Sequence, residues 1–167
     1  MITAMEQAKR RLRQSAVDAV AGTHGMVAIV EDDPHVSRAL GMWLKLHGLH
    51  ATHHTSGESL MQAIQTENGR LTLCIGIGHP VTFPLVGAIL DVNLPGMSGI
   101  ELAHVLRGLS PGLPLAIITA LREEDRARYG APPQGILCLK KPFDLDALED
   151  ALFPLLHPTF HETAQCA

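Results

Sequence analysis

Four short apolar runs in this chain of 167 residues each end at a polar or charged residue. Val27-Ala28-Ile29-Val30 meets Glu31-Asp32-Asp33, Val86 to Leu90 meets Asp91, Leu115 to Ile118 meets Thr119, and Ile136 to Leu139 meets Lys140-Lys141. Runs without apolar–polar alternation are the mark of strands buried on both faces, which belong to parallel sheets with helical crossovers. Helical spacing appears between them. Pro34 suits a first helical position and Asp33 its cap, and Val36, Leu40, Trp43 and Leu44 recur at helical intervals over about 34–47. His50 to Thr55 reads as a fifth strand, after which Ser56 caps a helix from Glu58 to Glu67 that Asn68-Gly69 closes. Asn93-Leu94-Pro95-Gly96 is a turn, Ser98 caps a helix to about Arg107, and Asp144 caps a last one to about Phe153. A helix within Arg122 to Tyr129 is cut short by Pro132-Pro133. The alternation predicts a doubly wound α/β domain with five parallel strands.

Composition supports a packed core, with 46% hydrophobic and 18% charged residues. Seventeen acidic against 13 basic side chains leave a net charge of -4, which offers no footprint for nucleic acid. Cys74, Cys138 and Cys166 are an odd number without paired spacing, and the N-terminus lacks the apolar run of a secretory signal, so a reducing, cytoplasmic setting is expected. Leu71 to Leu90 carries no formal charge over 20 residues, long enough to raise the question of a membrane span. Gly76, Gly78, Pro80, Pro84 and Gly87 interrupt it and Asp91 follows, so strands and a connection are expected, with no membrane contact. Residues 1–25, where Met5, Leu12, Ala16 and Val20 share one helical face, form an N-terminal extension; 26–156 form the domain and 157–167 a tail.

In an open parallel sheet, ligands bind outside the carboxyl ends of the strands, so the four polar run ends should meet. Taken singly, each is an ordinary cap, turn hydroxyl or solvated lysine. Together they define a chemistry. Three carboxylates held close repel one another unless a cation sits among them, and all-oxygen ligation suits magnesium. Asp91 can then act as nucleophile toward a phosphoryl group, while Thr119 and Lys141 share the charge on its oxygens.

Val27 to Pro34, Leu90-Asp91-Val92-Asn93-Leu94-Pro95-Gly96-Met97-Ser98-Gly99, Thr119-Ala120 and Lys141-Pro142-Phe143 resemble, in order, the signatures of bacterial response-regulator receiver domains of the CheY-like type. The resemblance covers residues 26 to about 156 and implies a flavodoxin-like sheet of strand order 2-1-3-4-5 with helices on both faces. It implies that Asp91 is the phosphoacceptor, that Glu31, Asp32, Asp91 and the Asn93 carbonyl serve a magnesium ion, and that Thr119 and Lys141 hold and sense the phosphoryl group. A cis bond before Pro142 is implied too.

So are a histidine kinase or histidine phosphotransferase as donor, an unidentified downstream protein, a possible homodimer, and no enzymatic turnover beyond the domain's own phosphorylation and dephosphorylation. Three features depart from the pattern. The spacing from Asp32 to Asp91 places an insertion at about 68–85, expected to be a hairpin or covering loop before the third strand. The fourth helix is short, and Cys138 stands where the switch aromatic is usual. Cys138 and the Pro132-Pro133 break in the fourth helix favour an alternative, a phosphorylation-independent interaction module with the same fold. An aspartyl phosphatase of the dehalogenase type would want an acid where Asn93 stands.

Ten histidines, above all His47, His50, His53 and His54, invite a transition-metal reading. Adjacent strand residues face opposite sides, so His53 and His54 do not converge on one ion. His104 reads as a surface residue, and Cys138 as a small hydrophobe.

Overall fold

The computed structural model describes residues 25–152. The expected N-terminal extension, the far end of the last helix and the C-terminal tail lie outside them. In chain order the strands are β1 (Met26–Val30), β2 (His50–His54), β3 (Ile64–Glu67), β4 (Arg70–Ile75), β5 (Val81–Asp91), β6 (Leu115–Thr119) and β7 (Leu137–Lys140). The helices are α1 (Pro34–Leu46), α2 (Gly57–Ala63), α3 (Gly99–Leu109), α4 (Glu123–Arg126), continued by a 3-10 turn at Ala127–Tyr129, and α5 (Leu145–Ala151).

Five strands pair in parallel in the order β2-β1-β5-β6-β7, which in chain order of those five is 2-1-3-4-5. Alternate side chains of each strand go to opposite faces, and both faces are covered. Val27 and Ile29 pack with Leu40, Trp43 and Leu44 of α1 and Leu148 of α5. Ala28 and Val30 pack on the other face with Leu60 of α2 and Leu102 and Leu106 of α3. Val27, Ala28, Ile29 and Val30 are each 0% exposed, which is why the run needs no polar alternation. Caps fix where the helices start. The Asp33 carboxylate accepts from the amides of His35 and Val36, Ser56 Oγ from Ser59, and Ser98 with Glu101 closes a reciprocal capping box.

The stretch after α2 corrects the sequence reading twice. The helix stops at Ala63, and Ile64–Glu67 is a strand that pairs antiparallel with β4. Asn68 and Gly69, at φ 51° and 75°, are both left-handed, so they form the tight hairpin turn that matches strand twist and do not close a helix. The hairpin continues onto β5, with Thr72 opposite Pro84 and Ile75 opposite Val81, so β5 begins five residues before the expected Val86. The insertion is therefore a hairpin, as one expectation had it, but runs over about 64–84, and the sheet has seven strands among the described residues. Leu71 and Leu73 enter the same core as Leu60, which anchors the hairpin under α2. The uncharged Leu71 to Leu90 stretch is accordingly β4, a connection and β5. Among the described residues no helix is long and apolar enough to cross a membrane. Asp144 stands at the start of α5, but its side chain makes no capping bond and is exposed.

The two strand histidines diverge. His53 is exposed and its Nδ1 lies 2.7 Å from Ser37 Oγ, while His54 is buried with its Nε2 3.0 Å from Thr52 Oγ1. Burial first, and the neighbouring His53 second, push the His54 pKa below the ordinary 6.5. Unfolding lets that imidazole protonate, so stability is expected to decline as pH falls below 6.5 toward the depressed folded value. Urea midpoints measured across that range should fall more steeply for the native chain than for His54→Gln; parallel curves would refute the assignment.

Candidate functional site

Each group of the site is delivered by a strand that runs out of apolar residues at the same edge. Glu31 and Asp32 follow β1, Asp91 is the last residue of β5, Thr119 the last of β6, and Lys141 follows β7. Parallel register aligns these ends: Val30 sits opposite Leu90, Asp91 opposite Ile118, and Thr119 opposite Lys140. Oxygens of Glu31, Asp32 and Asp91 lie within 4.8 Å of one another. Glu31 is 2% exposed and Asp91 5%, whereas Asp32 faces solvent.

Lys141 joins the two buried acids. Its Nζ donates to Glu31 Oε2 at 2.6 Å and to Asp91 Oδ2 at 3.1 Å. The remaining oxygens take backbone donors, Glu31 Oε1 from Asp33 N–H at 3.0 Å and Asp91 Oδ1 from Asn93 N–H at 3.3 Å. Burial raises the Glu31 pKa, against the hydrogen bond from Lys141 that lowers it. For Lys141 the balance reverses: burial works to lower its pKa, but Glu31 and Asp91 together hold it above the ordinary value. One ammonium against three carboxylates leaves a surplus of negative charge lined entirely by oxygen, which fits a hard divalent cation.

The other expected residues fall around this centre. Thr119 is 3% exposed; its hydroxyl accepts from Leu121 N–H at 3.0 Å and its carbonyl from Lys141 N–H at 2.7 Å, tying the ends of β6 and β7 together. Asn93 is exposed on the loop directly after Asp91. The Lys141-Pro142 bond is cis. Cys138 is half-buried on β7, and burial raises its thiol pKa against the nearby Arg126, which lowers it. His104 is exposed, its Nε2 donating to the Ala131 carbonyl.

Two contacts had no signal in the sequence. Glu58 of α2 accepts from Met97 N–H at 2.8 Å and so braces the loop after Asp91. Tyr129 donates from its hydroxyl to Asn93 Oδ1 at 3.3 Å. Neither residue belongs to a strand end, and only the three-dimensional path of α2 and of the 3-10 turn brings them to the loop.

Residues 85–153 match the family model described as the response regulator receiver domain. Over those residues the sequence belongs to the response-regulator receiver family. The chain is 28% identical over 133 residues to the probable transcriptional regulatory protein TcrX of Mycobacterium tuberculosis, covering 80% of the chain and 50% of the relative. It is 27% identical over 130 residues to the response regulator receiver protein CpdR of Brucella abortus, covering 78% of the chain and 95% of the relative. A CheY-like receiver from Methanospirillum hungatei shares the fold, with TM-score 0.60 at 19% identity over 84% of this chain and 99% of that one. The chain spans half of TcrX and under a third of several other relatives it matches.

Proposed function

We propose that this receiver accepts a phosphoryl group on Asp91 from a phosphohistidine of a histidine kinase or phosphotransferase, and that the change alters how it binds a downstream protein. The observation that carries the reading is the Lys141 ammonium held between buried Asp91 and Glu31 beside a third carboxylate. An Asp91 carboxylate oxygen attacks phosphorus; the new O–P bond forms as the P–N bond breaks, and the departing imidazole nitrogen keeps the electron pair. Lys141 is placed to follow charge onto a phosphoryl oxygen, and Thr119, from the next strand end, offers a hydroxyl.

Glu31, Asp32, Asp91 and the Asn93 carbonyl would hold magnesium, which supplies neutralisation of the phosphoryl oxygens. In this reading the domain acts as a cytoplasmic signalling module that turns over no external substrate. With Cys138 in place of an aromatic, a movement of the Thr119 hydroxyl toward the phosphoryl group is not relayed through a ring at that position. Incubation with magnesium and acetyl phosphate should raise the intact mass by one phosphoryl group, and peptide mapping should place it on Asp91. An adduct elsewhere, or none, would leave the phosphorylation-independent interaction module, which Cys138 and the four-residue α4 favour.

A further inference from the structure

The contact between Tyr129 and Asn93 bears on how long a phosphoryl group survives on Asp91, an inference that rests on the reading just given. Tyr129 is the chain's single tyrosine, and it sits on the 3-10 turn that continues α4. Its hydroxyl crosses to the loop after Asp91 and donates to Asn93 Oδ1 at 3.3 Å. The Asn93 backbone is meanwhile committed to the acceptor, its N–H donating to Asp91 Oδ1 at 3.3 Å. Asn93 is thus fixed at both ends: main chain to the acceptor carboxylate, side-chain carbonyl to α4's continuation.

Hydrolysis of an aspartyl phosphate needs a water in line with the O–P bond, entering from solvent because the Asp91 side is buried. The first exposed side chain after Asp91 in the chain is Asn93, and its amide carbonyl is a hydrogen-bond acceptor able to orient such a water. In the structure that carbonyl is turned toward Tyr129 and engaged by its hydroxyl. Nothing comparable is available from β7, where Cys138 replaces a ring and its thiol lies against Arg126 of α4. We propose that Tyr129 is a positioning residue that holds the Asn93 carbonyl away from the attacking water and so lengthens the life of the Asp91 phosphate.

Tyr129→Phe keeps the ring and removes the donor. After loading with acetyl phosphate and removal of the donor, loss of the adduct followed by intact mass should be about three- to five-fold faster in the variant, the size expected for one hydrogen bond between partly exposed groups. Incorporation should be unchanged, since Tyr129 touches neither Asp91 nor Lys141. The deciding comparison is the Asn93→Ala background, where Tyr129→Phe should have no further effect, because the tyrosine acts through that side chain. Equal lifetimes of the native chain and Tyr129→Phe, or the same acceleration with and without Asn93, would overturn the proposal while leaving Asp91 as acceptor. Failure of the native chain to take any phosphate at Asp91 would remove both readings together.

Discussion

Lys141→Met should slow phosphate incorporation at Asp91 by about 10²- to 10³-fold, the scale of losing one preorganised charged donor to a transition state. Methionine preserves much of the stem and its packing but removes the ammonium that donates to Glu31 at 2.6 Å and Asp91 at 3.1 Å. It also leaves two carboxylates, 2% and 5% exposed, facing each other without their cation. Breaking such a pair by deleting one partner should cost about 3 kcal/mol at neutral pH. The cost must depend on pH in a set direction. The Glu31 pKa is already raised by burial, so its charged form weakens the fold as pH climbs above 4.5, and without Lys141 that penalty grows.

The Lys141 pKa is raised in the folded chain, so its contribution is whole below 10.5 and disappears as pH rises through the folded value. The stability gap between native chain and variant is therefore widest between those limits and narrows toward both. Urea midpoints over a pH series test it, and added magnesium should close part of the gap at neutral pH. A gap independent of pH would mean that the lysine stabilises by packing alone.

What could be read from the sequence follows from where the physics is local. The site was legible because a strand buried on both faces has no use for Glu31, Asp91, Thr119 or Lys141, so their position at run ends already marked one edge. The caps at Asp33, Ser56 and Ser98 were legible for the same reason: each serves amides two or three residues away. The hairpin was not. Met61 and Ile64 sit three apart, which a helix and a helix-to-strand boundary satisfy alike, and Asn68-Gly69 terminates helices as readily as it turns hairpins. The choice is made by tertiary packing, with Leu71 and Leu73 buried against Leu60. The early start of β5 was hidden by Pro84, a residue that argues against a strand. There the strand passes from its antiparallel neighbour β4 to its parallel neighbour β1, whose pairing with it begins at Leu85. Tyr129 was invisible because nothing local connects a residue after α4 with a loop 36 positions earlier.

Gly99→Ala is the substitution expected to damage the fold most directly. A Cβ at position 99 would lie 2.0 Å from the Asp91 carbonyl oxygen, 2.7 Å from its carbon and 3.1 Å from Val92 Cα. All three are backbone atoms, so no side chain can swing aside. The close approach is held by Gly99 N–H donating to the Val92 carbonyl at 3.1 Å and by the capping box at Ser98. Relief requires either that the start of α3 lift off, opening the core around Ile100, Leu102 and Ala103, or that the Asp91 peptide turn and carry its carboxylate off Lys141. Overpacking against backbone should cost about 3 kcal/mol or more, a large share of the stability of a domain this size. Phosphate incorporation should fall with it wherever the second route is taken. Gly108, on the same helix with nothing within 4 Å of its would-be Cβ, supplies the control: Gly108→Ala should be neutral or stabilising through helix propensity. If the two variants unfold at the same urea concentration, α3 does not abut the acceptor's own peptide, and the positioning of Asp91 must be sought in β5 alone.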